Sequence, residues 1–206
     1  QYADGTEERY EYTRRGNLSK SIDKEGTITL YNYDYLDRPC VTDVYANGEL
    51  LKRTIKEYNA FHLTKEIDAE GVATLYTYDS AGRLSRIEKE ERKIDILYDS
   101  LSRETEKREY FGYGEQEYIR RISLYNLLDE IICKRTEDAS GTILEQVEYE
   151  YDGDGNRIEV RKDQAVTRTF YDPEGKELLS IDPLGKETKT FTIKALSIPM
   201  VGAFVA

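Results

Sequence analysis

A tyrosine, then a slot that favours Asp or Asn, then a turn-type residue four places after the tyrosine: this unit recurs eight times in 206 residues. Anchored on the tyrosine, the copies sit at Tyr12, Tyr33, Tyr58, Tyr78, Tyr98, Tyr125, Tyr151 and Tyr171, spaced 21, 25, 20, 20, 27, 26 and 20 residues apart. The best-preserved copy reads Tyr76-Thr77-Tyr78-Asp79-Ser80-Ala81-Gly82-Arg83-Leu84. Self-similarity at such a period marks a repeat architecture, in which each unit is one supersecondary element resting on its neighbours.

What each slot tolerates gives the unit its shape. The position after the anchor holds Thr13, Asp34, Asn59, Asp79, Asp99, Asn126, Asp152 and Asp172. Asp and Asn side chains accept a hydrogen bond from the backbone two residues on and so start a turn. Four places after the anchor come Gly16, Asp37, His62, Gly82, Ser102, Asp129, Gly155 and Gly175. Glycine and aspartate there suit a backbone at positive φ. Asp opening a type I turn that closes through the left-handed region describes a hairpin loop with a bulge.

A second punctuation falls between these hairpins, at Asp4-Gly5, Glu25-Gly26, Asn47-Gly48, Glu70-Gly71 and Ser140-Gly141. Each repeat then reads strand, Asp-x-x-Gly turn, strand, x-Gly turn. Between the turns the residues alternate with period two, so that Thr29, Tyr31 and Tyr33, or Thr74, Tyr76 and Tyr78, share one face of a strand. The expected fold class is all-β: an antiparallel meander of repeated β-hairpins forming a curved or coiled sheet. Tyrosines at matching register in successive hairpins, in a chain with eighteen of them, predict a ladder of rings stacked across strands.

The pattern Gly, then Tyr-x-Tyr-Asp-x-x-Gly-Arg-Leu, then a polar strand back to the next Gly, resembles the YD repeat of the rearrangement-hotspot (RHS) proteins. Related repeats occur in insecticidal toxin-complex shell components and in animal teneurins. The resemblance runs over residues 4 to 192; Tyr33, Tyr78, Tyr151 and Tyr171 carry the intact Tyr-Asp pair, whereas Tyr58 and Tyr125 have Asn and Tyr12 has Thr. It implies a long β-sheet coiled into a hollow shell, which in bacterial members encloses a cargo, commonly a C-terminal toxin. Its implied partners are the rest of a larger RHS-type polypeptide and that cargo.

Composition suits a sheet that is wet on both faces. Charged residues make up 34% of the chain and hydrophobic residues 38%, below the roughly 45–50% apolar content of an ordinary compact domain. An isolated sheet of this kind also leaves exposed edges, so the chain reads as a segment of a larger shell or a degenerate copy of one. With 30 basic and 41 acidic residues the net charge is −11. That balance argues against a nucleic-acid partner, which needs clustered Lys and Arg to neutralise phosphates. Arg14-Arg15 and Arg120-Arg121 read as solvated or cross-strand paired charges, and Glu88 to Lys93 as a charged turn.

No residue set calls for a cofactor or a metal. Cys40 and Cys133 lie in different repeats without metal-ligand spacing and read as strand residues. His62 occupies the slot otherwise held by Gly, Asp or Ser, and reads as a turn residue able to visit the left-handed region. The recurrent aspartates Asp34, Asp79, Asp99, Asp152 and Asp172 read as turn caps, with Gly82, Gly155 and Gly175 closing their loops. One pair raises chemistry: Asp172-Pro173-Glu174-Gly175 and Asp182-Pro183-Leu184-Gly185 are two Asp-Pro-x-Gly motifs. They are similar to the paired motifs in the core that closes many bacterial RHS shells, whose aspartates are associated with self-cleavage. Two carboxylates sharing a proton would act as acid and base on a nearby peptide bond. Against this, only six residues separate the motifs, the family core has a much longer insert, and both aspartates fall in turn positions.

Residues 1–192 form the repeat array, and 193–206 an apolar tail in which Ala195 to Ala206 carry no charge. Twelve residues are too few for a membrane span, which needs about twenty. Gln1 to Tyr10 is polar and acidic, unlike a secretory signal. The family resemblance favours a secreted or bacterial cell-surface location. The expected role is a structural, non-enzymatic shell segment. The alternative is an extracellular adhesion surface meeting a cell-surface glycan or protein, and a third reading makes Asp172 and Asp182 an autoprocessing pair.

Overall fold

A computed structural model describes residues 7–112 and 115–190. Among them lie seventeen β-strands and no helix. Contacts divide the chain into two units, Gln1–Arg121 with Asp138–Thr142, and Ile122–Glu137 with Ile143–Ala206.

In the first unit the strands are β1 (Arg9–Tyr12), β2 (Leu18–Ile22), β3 (Ile28–Tyr33), β4 (Pro39–Ala46), β5 (Glu49–Tyr58), β6 (Leu63–Ile67), β7 (Ala73–Tyr78), β8 (Leu84–Lys89), β9 (Arg92–Tyr98) and β10 (Glu104–Tyr110). Each pairs antiparallel with the next in sequence. Strand β11 (Tyr118–Tyr125) follows. The second unit repeats the meander with β12 (Ile131–Asp138), β13 (Ile143–Tyr151), β14 (Arg157–Lys162), β15 (Ala165–Tyr171), β16 (Glu177–Ile181) and β17 (Glu187–Lys189), again paired neighbour to neighbour. This is the all-β antiparallel meander that the punctuation predicts.

In seven of the eight anchor turns the residue four places after the tyrosine has positive φ, from 62° at Asp37 to 90° at Gly16. The register slips by one residue where the anchor meets its partner strand, as between Thr77 and Tyr78, which is the expected bulge. Two readings of the turns need correction. First, the second punctuation, read only as an x-Gly turn, mostly begins two residues earlier, at an aspartate. At Asp23, Asp68, Asp138 and Asp182 the backbone N–H of Gly26, Gly71, Gly141 and Gly185 donates to the Asp carbonyl at 2.9–3.1 Å. These are the same Asp-x-x-Gly loop, already marked at Asp182 by its Asp-Pro-x-Gly motif and unassigned at Asp23, Asp68 and Asp138. Two-residue loops occur at Asn47-Gly48, Glu90-Glu91 and Asp163-Gln164. Second, His62 is absent from the left-handed positions, because its loop is one residue shorter: Tyr58 pairs with Leu63, five residues on, whereas Tyr78 pairs with Leu84, six on.

Repeat spacing varies at the ends away from the anchors. Strands β4 and β5 are 8 and 10 residues long where β6 and β7 are 5 and 6, which accounts for the longer Tyr33–Tyr58 interval. A single layer builds no core. Among the described residues the only buried hydrophobic side chains are Tyr110 and Cys133, and no side chain is fully covered. Polar groups instead hold the strands: Arg53 on β5 grips Asp43 on β4 through two 2.7 Å bonds. Similarly, Arg86 on β8 grips Asp95 on β9 at 2.6 and 3.1 Å.

Candidate functional site, a ladder of tyrosines and arginines

Six anchor tyrosines do the same thing. The hydroxyl of each donates to a main-chain carbonyl at the start of the strand that follows the previous anchor turn. Tyr33 reaches Leu18 at 2.7 Å, Tyr58 reaches Pro39 at 3.0 Å, and Tyr78 reaches Leu63 at 2.9 Å. Tyr98 meets Leu84 at 2.9 Å, Tyr151 meets Ile131 at 2.9 Å, and Tyr171 meets Arg157 at 3.2 Å. The bulge accounts for the free acceptor, because it breaks the ladder of backbone bonds at that point. Each repeat is thereby stapled to the one before it. Tyr12 lies on β1 with its ring exposed, and Tyr125 ends β11.

The predicted stack of tyrosine on tyrosine does not form between anchors. Successive anchors of a regular repeat stand two strands apart, about 9.5 Å, beyond the roughly 4.5–7 Å of ring contacts. The strand between supplies a flat group instead. The guanidinium of Arg38 lies over Tyr58 at 4.4 Å, and that of Arg83 over Tyr98 at 4.7 Å. The same arginines donate through Nη1 to the carbonyls of Asn59 at 2.9 Å and Asp99 at 3.1 Å. In the shortened loop His62 takes this place, stacked on Tyr78 with ring centroids 4.3 Å apart. Its ring also lies 3.3 Å from where a side chain on Gly82 would begin.

Each turn aspartate ties this flat group to its own loop. Oδ1 of Asp79 accepts the N–H of Ala81 and Arg83, both at 2.9 Å, while Oδ2 takes Nε of Arg83 at 2.8 Å. Asp34 and Arg38 repeat this arrangement, as do Asp99 and Arg103. Elsewhere the pair changes but stays complementary: Asp152 accepts from the amide of Asn156 at 3.0 Å, and the amide of Asn126 donates to Glu130 at 2.6 Å. Hydrogen bonds from the Arg83 and Arg103 backbones, then their guanidinium groups, hold Asp79 and Asp99 below the usual carboxylate range despite partial burial. Burial, aided by nearby carboxylates, pushes the phenols of Tyr98 and Tyr151 upward. Each defined position of Tyr-Asp-x-x-Gly-Arg-Leu therefore contributes one element of the rung, namely the staple, the cap, the left-handed corner, the flat cation and the carbonyl acceptor.

Asp172 and Asp182 are not brought together. Asp172 caps the turn before β16 with bonds from Glu174 and Lys176, at 3.0 and 2.8 Å. Asp182 caps the turn after it with bonds from Leu184 and Lys186, at 2.9 and 2.8 Å. Five residues of β16 stand between them, about 16 Å of extended chain, so the carboxylates do not share a proton. Among the described residues no group of three or more His, Cys, Asp or Glu is placed to hold a metal ion. Cys40 and Cys133 are free thiols on β4 and β12. Burial pushes the Cys133 thiol up, and Glu148 adds to it. The apolar tail at 193–206 lies outside the described residues.

A family model described as RHS Repeat matches residues 58–91, the stretch that holds the Tyr58, His62, Tyr78 and Arg83 rungs. The chain carries an RHS repeat. No curated protein matches it. Among solved structures, a crystal structure of TcdB2-TccC3-TEV shares the fold with a TM-score of 0.51 at 12% identity over 87% of this chain. The Photorhabdus luminescens Tc holotoxin pore, with a substituted TccC3, gives 0.51 at 13% identity over 87%. This RHS-repeat chain spans 13% of the length of either relative.

Proposed function

We propose that the chain is a segment of an RHS-type shell wall that encloses or presents a toxin-like cargo and performs no chemistry of its own. The observation that carries this reading is a meander stapled repeat to repeat along its polar ladder, with almost no buried apolar side chain among the described residues. A wall of this kind needs no second layer, so one face is free for contents and the other for solvent. One solved relative is by its name part of a Tc holotoxin pore, and the other is a TcdB2-TccC3 assembly, which supports a larger polypeptide or assembly as partner. The likeness to a Tc holotoxin supports a secreted or surface location for this protein.

Electron microscopy of the complete polypeptide bearing this segment tests the reading. Hollow particles whose interior density resists protease are expected. Solid particles, or contents digested as fast as a free control, would refute it.

A further inference from the structure

The hairpin of β4 and β5 turns through Asn47 and Gly48, at φ of 51° and 82°, the left-handed pair that suits a two-residue loop. This tip overhangs its surroundings. Strand β5 meets β6 only from Ile55 onward, and Glu49 to Arg53 are all exposed. On the other side Ala46 pairs with Glu49 and closes the loop. A hairpin end so lightly covered, with one open edge, opens locally at little cost.

Asn47 stands apart from the other five asparagines of the chain. Asn59 and Asn126 accept backbone N–H groups of their own turns at Oδ1. The amides of Asn17 and Asn156 donate to Asp37 and Asp152, and Asn32 lies inside β3, followed by Tyr33. Among the described residues no hydrogen bond holds the side chain of Asn47 or the N–H of Gly48. At Asp154-Gly155, the nearest parallel in sequence, the glycine N–H is held by the Asp152 carbonyl at 3.2 Å.

We propose that Asn47 is a site of self-modification, where the chain converts its own amide to a carboxylate without an enzyme. When the tip opens, the nitrogen of Gly48, unshielded by any side chain, loses its proton and bonds to Cγ of Asn47. The Cγ–Nδ2 bond breaks and ammonia leaves. Water then opens the resulting succinimide ring at one of its two carbonyls. Opening at Cγ gives aspartate at position 47, which tolerates the left-handed turn. Opening at the main-chain carbonyl gives isoaspartate, in which the backbone is longer by one carbon. Loop length sets the register of a hairpin, so the isoaspartate product no longer fits the pairing of Ala46 with Glu49. Either product adds one negative charge to the tip, and neither reverts. The site is a one-way timer on a single hairpin.

The test incubates the full chain in mildly alkaline buffer and follows it by released ammonia and by peptide mass spectrometry, with fragmentation that separates aspartate from isoaspartate. Position 47 should convert first and yield both products, while the other five asparagines keep their amides. Asn47→Asp should lose that ammonia release and remain folded by circular dichroism. In the purified isoaspartate form, amide exchange should accelerate between Ala46 and Arg53 and stay unchanged in the turn from Asp34 to Arg38. Asn47 intact after a time that fully converts the free peptide Tyr45–Leu50, aspartate without isoaspartate, or another asparagine converted at an equal rate each overturns the proposal.

Discussion

The turn from Tyr58 to Leu63 and the turn from Tyr78 to Leu84 reach the same end by different residues. One has Asp79, Gly82 and Arg83; the other has Asn59 and His62 and is one residue shorter. Both cap their backbone, and both lay a flat nitrogen-bearing group on the next tyrosine. The lesson is that in these two turns the rung specifies a shape, a planar nitrogen-bearing group over the next phenol ring, more tightly than it specifies an amino acid.

The comparison breaks most readily with acid. Asp79 and Asp99 are held low by backbone and guanidinium donors, and Asp152 by the Asn156 amide and backbone. A carboxylate with a depressed folded-state pKa binds its proton more readily in the unfolded chain. Its stabilisation is therefore present above the unfolded value, near 4, and is lost as pH falls through the lower folded value. Urea midpoints should be level from pH 5 to about 7 and fall below about pH 4, the largest effect here because Asp34, Asp68 and Asp138 are lowered as well as Asp79, Asp99 and Asp152. Asn59 does not titrate, so Asp79→Asn should blunt the fall while Asn59→Ala leaves its pH position unchanged. A midpoint independent of pH down to about 2.5 would contradict the caps.

Next in size is the corner residue. Gly82 sits at φ 80° with the His62 ring 3.3 Å from any added methyl group. Gly82→Ala should cost about 1–2 kcal/mol in chemical denaturation. Ala60, in the loop that lacks a left-handed corner, should accept Ser within a few tenths. Equal costs would mean the two loops do not differ as described.

Tyr78→Phe removes the staple to Leu63 and should cost about 0.5–1.5 kcal/mol. Tyr171→Phe, whose 3.2 Å bond is exposed, should cost less. The smallest expected change is a gain. His62→Arg, which gives the short loop the cation of its neighbours, should raise stability by at most about 0.5–1 kcal/mol. A loss of that size would show that the short loop admits only the imidazole.

Much of the fold was legible because tyrosine, Asp and Gly recur in phase and each has one strong backbone preference. Three features were not. The aspartates at 23, 68 and 138 sit at strand ends, where nothing local distinguishes a cap from an exposed strand residue, whereas Asp182 is marked by its Asp-Pro-x-Gly motif. The missing residue after Tyr58 is invisible when copies are aligned on the tyrosine, and shows when they are aligned on Leu63 and Leu84. The complementary pairs four apart, Asp34 with Arg38, Asn126 with Glu130 and Asp152 with Asn156, were present as letters all along. Their meaning depends on a loop that folds the two positions face to face, and strand periodicity carries no hint of that.

Because every hydroxyl staple runs only to the preceding hairpin, no repeat depends on one further away. Stability then accumulates by nearest neighbours, and the length of the sheet becomes a quantity that duplication or loss of whole hairpin pairs can change. The reach of such a strip can thus drift between generations without any single contact being reinvented.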